Sequence, residues 1–140
     1  MKIFNAILSG FLFSKAINFA SRMEYKKAMR FLNLSDRFCP NIYSHYLLRS
    51  HIMLVNENFY ECEKNSRKAI ELIHGKKKLN IDEKKYLNVY ALDLINLSIV
   101  HGKLEQDLCI IELDFSLKNI DERLIRYFPI MPRKRAMSEL

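Results

Sequence analysis

The sequence has no tryptophan and only three glycines, three prolines and three cysteines in 140 residues. So few glycines and prolines exclude a fold of many tight turns, as sandwiches and barrels require. They also leave no phosphate-cradling loop: neither G-x-x-x-x-G-K-[ST] nor G-x-G-x-x-G occurs, and G-x-S-x-G is missing. Cys39, Cys62 and Cys109 show no C-x-x-C spacing and are odd in number. That fits a reducing, cytoplasmic setting with the thiols as small core residues, not a disulfide framework. His45, His51, His74 and His101 have no acidic or cysteine neighbour at metal-ligand spacing, and H-E-x-x-H does not occur. The expectation is therefore no metal and no cofactor.

What is present is apolar mass and positive charge. Hydrophobic residues make up 49% of the chain and aromatics 11%, enough for one core in one domain. The net charge of +7 permits a nucleic acid, an anionic membrane or an acidic protein as partner. The excess lies in the first half: residues 1–78 carry 14 basic and 6 acidic side chains, residues 79–140 carry 9 and 10.

Along the chain the signals are helical. Ile3, Ile7 and Phe11, with Leu8 and Leu12, recur at helical spacing. Residues 3–13 could also be read as a signal segment ending at Ser14-Lys15-Ala16, but Asn5, Ser9 and Gly10 interrupt the run. An amphipathic helix is expected, too short in apolar residues for the roughly 20 of a transmembrane span. Lys76-Lys77-Lys78 reads as a solvated loop, and Asn80-Ile81-Asp82-Glu83 as a capping box opening a helix over 81–101 with Gly102 as its C-cap. Residues 104–118 mix helical and alternating patterns and are taken as helix; Asn119-Ile120-Asp121-Glu122 opens a last short helix before Pro129. These segments predict an all-α domain of about seven helices over 1–128, followed by a basic, extended tail over 129–140 carrying Pro132 and Arg133-Lys134-Arg135.

Residues 9–42 can be laid on residues 43–76 without a gap, at a period of 34. Ala16 falls on Ser50, Phe19 on Met53, Tyr25 on Phe59, Ala28 on Cys62, Ser35 on Ala69 and Phe38 on Leu72. Alternating small and large positions let two antiparallel helices approach closely and fill the space between them. In the first unit Ala16-x-x-Phe19, Ala28-x-x-x-Leu32, Ser35 and Pro40 stand at the spacing of the tetratricopeptide repeat, which this half of the chain resembles. In the second unit Tyr46, Ser50, Met53, Cys62 and Ala69 fit, whereas Ser66 and His74 depart from the pattern. Lys15 and Arg49 stand where the family usually has leucine.

The resemblance implies stacked antiparallel hairpins in a short solenoid. It also implies a concave groove lined by Phe13, Ile17 and Ala20 from one unit and Leu47, His51 and Leu54 from the next. Each trio lies on one helix face, apolar enough to receive an amphipathic helix or to be buried by a third hairpin. The expected function is non-enzymatic: an adaptor or chaperone for a hydrophobic or helical client segment, similar in size to bacterial secretion chaperones of this repeat type. The apolar Ile3–Phe13 end suggests dimerisation or a held partner. An immunity protein that occludes a toxin is a second reading.

Two weaker signals concern nucleic acid. Lys26, Lys27 and Arg30, with Lys64, Arg67 and Lys68 in the second unit, predict two basic ridges able to follow a phosphate backbone. Arg67 and His74 resemble the arginine and histidine signature of small helical ribonucleases, in which His74 would handle the 2′-hydroxyl proton and Arg67 the phosphate.

Overall fold

A computed structural model describes residues 2–104. They form five helices and, among the described residues, no strand: α1 (Lys2–Ser21), α2 (Tyr25–Phe38), α3 (Tyr43–Val55), α4 (Phe59–His74) and α5 (Ile81–Gly102). The expected helices over 104–118 and 119–128, the tail and Cys109 lie outside the described residues. Helix α1 packs along α2, α3 along α4, and α5 along α4.

The two hairpins close in the same way because their sequences place the same turn 34 residues apart. Helix α1 ends with Met23 at φ 61° and the Glu24 amide donating to the Phe19 carbonyl at 2.9 Å. Helix α3 ends with Glu57 at φ 59° and the Asn58 amide donating to the Met53 carbonyl at 2.8 Å. Both are left-handed C-terminal turns with a six-to-one hydrogen bond, here without glycine. Helix α5 ends alike, with Lys103 at φ 51° and the Leu104 amide on the Ile99 carbonyl at 3.1 Å. Gly102 therefore does not take the left-handed position expected of it; Lys103 does. Gly102 serves close packing instead, since a Cβ there would stand 2.5 Å from Cβ of Phe59.

Small residues occupy the helix contacts. Ala16, Ala20, Ala28, Cys62 and Ala69 are fully buried, among Leu32, Leu47, Leu48, Ile52 and Ile73. Burial pushes the Cys62 thiol up to about 12, so it is an inert core group. Phe19 and Phe31 stack at 5.3 Å across the first hairpin. The α5 start follows the capping box: Asn80 Oδ1 accepts from the Glu83 amide at 2.8 Å, and Asn80 Nδ2 donates to Glu83 Oε1 at 3.1 Å. Further along, Asp93 to Ile99 are all buried, as in a helix enclosed on every side.

Candidate functional site

Three places in the fold carry more than packing. The first is the joint between the hairpins, where α1, α2 and α3 meet. Ser9 and Ser35 clasp across the first hairpin: Ser9 Oγ lies 3.0 Å from the Ser35 carbonyl, and Ser35 Oγ 2.7 Å from the Ser9 carbonyl. Ser35 Oγ also stands 3.0 Å from His45 Nε2, and His45 Nδ1 3.2 Å from Asp36 Oδ1. Arg49 completes the chain, with Nη2 3.5 Å from Asp36 Oδ2 and 3.2 Å from Asn33 Oδ1.

Hydroxyl, imidazole and carboxylate thus stand in the order used for nucleophilic catalysis. Here the order is structural: Ser35 is fully buried, His45 is 2% exposed, and Phe13 covers the imidazole with ring centroids 5.0 Å apart. Burial lowers the His45 pKa, the hydrogen bond and charge of Asp36 work against that, and Arg49 adds to the lowering. In the neutral tautomer that pairs with the carboxylate, Nδ1 donates to Asp36 and Nε2 faces the Ser35 hydroxyl, whose single proton is contested by Nε2 and the Ser9 carbonyl.

The second place is α1. Its counterpart in the second hairpin, α3, begins at Tyr43, which the period aligns with Ser9. Helix α1 begins at Lys2 and so runs about two turns past the repeat, where no second hairpin helix matches it. On that extension and the turn after it Ile3, Phe4, Ile7 and Phe11 are 77%, 64%, 68% and 58% exposed. Their spacing puts them on one face, and Lys15 continues it with Nζ 5.4 Å from the Phe11 ring centre. The helix is also long and apolar enough, by length and composition alone, to cross a membrane, against the expectation of a run too short for that. Ser9, Phe13, Ala16 and Ala20 on its other side are buried.

The third place is basic. Lys26, Arg30, Asn33 and Arg37 share one face of α2, whereas Lys27 turns away, its Nζ 5.6 Å from the Phe19 ring. Arg49 of α3 reaches the first of these faces through Asn33 and lies 5.7 Å from the Tyr46 ring centre. Tyr46 in turn lines a pocket of about 410 Å³ with Lys64, Asn65, Arg67, Lys68 and Glu71 of α4. Glu63 holds Arg67, and Glu71 lies 3.4 Å from Lys68. Arg49, which belongs to neither predicted cluster, thus stands between the α2 face and the α4 residues Lys64, Arg67 and Lys68.

Other assignments fare differently. Of the six groove residues, Phe13, Ala20, Leu47, His51 and Leu54 are buried and Ile17 is half-buried. They are interior positions because the joint closes on Phe13, Tyr25 packs toward His51 at 6.4 Å, and α5 lies along α3 and α4. His74 is exposed at the end of α4, two turns from Arg67, which is about 10 Å of helix rise. Among the described residues no group of three or more His, Cys, Asp or Glu is placed to hold a metal ion.

No family model, no curated protein and no solved structure matches the chain.

Proposed function

We propose that the protein is a non-enzymatic interaction module of the tetratricopeptide type, an adaptor or chaperone that docks a client protein through the exposed face of α1. The observation that carries this is the exposure of Ile3, Phe4, Ile7 and Phe11 on one side of a helix whose other side is built into the core. Four large apolar side chains left together in water are the mark of a binding surface. The two hairpins with equal turns 34 residues apart support the repeat architecture. The buried state of Ser35 and His45 argues against using the joint as a catalytic centre.

The face spans about 12 Å from Ile3 to Phe11, the length of two turns of a partner helix. Lys15 at its edge favours an acidic residue beside the partner's apolar stripe. A photo-crosslinking residue at position 7 in cells, followed by titration of the purified partner, tests the reading. A stoichiometric protein partner whose binding is lost on Ile7→Asp and kept on Lys85→Gln is expected. Equal binding by wild type and Ile7→Asp would sink it, and so would crosslinks only to a second copy of the chain.

A further inference from the structure

The surface formed by α2, α3 and α4 has chemistry that docking through α1 does not use. We propose that it binds single-stranded nucleic acid, with Tyr46 as the stacking platform and Arg30 and Lys64 as the phosphate contacts on either side. The argument begins with continuity. The α2 face runs from Lys26 to Arg37, about 16 Å of helix. Asn33, in its middle, accepts from Arg49 Nη2 at 3.2 Å. The Arg49 guanidinium lies against Tyr46, and Tyr46 opens onto the pocket walled by Lys64, Arg67 and Lys68. Cations of α3 and α4 thus flank one half-buried aromatic ring, and the basic face of α2 joins them through Asn33.

Charge and shape then choose the ligand. Asp36 and Asn33 hold Arg49, which is 15% exposed, so its main role is to fix the Tyr46 ring. Glu63 and Glu71 engage Arg67 and Lys68, leaving Lys64 as the exposed cation of the pocket lining and Lys26, Arg30 and Arg37 as exposed cations along the α2 face. Cations on the outside and an aromatic ring in a concavity are the arrangement of a strand-tracking groove, where phosphates stay in water and a base leaves the stack. A pocket of about 410 Å³ is large enough for one unstacked base with its sugar, in the range of small-ligand sites. A duplex cannot present a base to such a recess without opening, so a single strand is favoured. Asn65 adds an amide to the lining: one Nδ2 hydrogen goes to the Glu61 carbonyl at 2.7 Å, which leaves the second N–H and the carbonyl oxygen.

The test uses the full chain and fluorescence anisotropy with a labelled 12-nucleotide uridine strand and a 12-base-pair duplex, from 50 to 300 mM salt. The expected result is saturable binding of the strand, weaker binding of the duplex, and at least fivefold loss on Tyr46→Leu, which keeps an apolar body at that position. Arg30→Gln with Lys64→Gln should lower the salt slope by about 1.4, about 0.7 for each phosphate contact on a single strand. Lys85→Gln, an exposed cation on α5, should change little. Circular dichroism confirms that each variant is folded. Three results would overturn the proposal: no saturable binding at 50 mM salt, losses on Lys85→Gln as large as on Lys64→Gln, or competition by polyglutamate as effective as unlabelled strand. The last would identify the surface as one for acidic protein.

Discussion

The backbone amides of Glu24 and Asn58, 34 residues apart, make the same hydrogen bond, to Phe19 at 2.9 Å and to Met53 at 2.8 Å. The next bonds agree too: the Ala28 amide donates to the Glu24 carbonyl and the Cys62 amide to the Asn58 carbonyl, both at 3.0 Å. Each residue thus ends one helix and starts the next, so a three-residue connection reverses the chain. The repeat is a repeat of turns as much as of packed faces.

These turns hold Met23 and Glu57 at φ 61° and 59°, where a side chain clashes with its own backbone. Met23→Gly and Glu57→Gly should each raise stability by about 0.5–1 kcal/mol, the relief of strain less the entropy glycine loses on folding. Urea unfolding midpoints measure it; a fall in either variant would mean that the side chain contributes contacts worth more than the strain.

Gly102 sets how closely α5 approaches the start of α4. An added Cβ would meet Cβ of Phe59 at 2.5 Å and its Cγ at 3.0 Å, so Gly102→Ala should cost about 1–3 kcal/mol through forced displacement. Gly75 provides the contrast, since its nearest neighbour would be the Leu72 carbonyl oxygen at 3.6 Å and its backbone is right-handed helical. Gly75→Ala should be neutral or stabilise by up to about 1 kcal/mol. Equal destabilisation of both would refute the close-approach role.

Local patterns were legible in the sequence, and contacts between distant residues were not. The pairing of Ala28 with Cys62 and of Ala16 with Ser50 showed where helices touch, because small residues at fixed spacing have few other uses. The Asn80 box was legible because its bonds stay within four residues. The joint was not, since Ser9, Ser35 and His45 are separated by 26 and 10 residues and no local rule brings them together. The groove residues were assigned by a face that is apolar either way; periodicity tells which side is greasy, not what covers it. The start of the repeat at residue 9 already implied that Ile3 and Ile7 lie outside it, a signal that needed only the period to be read backwards.

The α5 cap gives a separate measure of local stability. Asn80→Ala removes the acceptor for the Glu83 amide and should cost about 1 kcal/mol. Asn80→Asp keeps the acceptor and places a negative charge at the helix start, so it should preserve stability. Amide exchange at Lys84 and Lys85 reports it, rising in the alanine variant alone.

His45 should make the joint acid-sensitive. Its folded pKa lies below the ordinary value near 6.5, chiefly because the ring is buried under Phe13. Between the folded and unfolded values the unfolded chain binds more protons, so stability falls as pH drops. The contribution is complete above about pH 6.5 and is lost as pH descends through the folded pKa. Urea midpoints at pH 7.5 and pH 5.0 should differ more for wild type than for His45→Gln, whose amide does not titrate in this range. Asp36→Asn sharpens the test: removing the carboxylate takes away what raises the folded His45 pKa, so the loss should still begin near about pH 6.5 but run on to lower pH and become larger. A loss in Asp36→Asn no larger than in wild type, or a His45→Gln profile matching wild type, would show that other groups set the acid sensitivity of the fold.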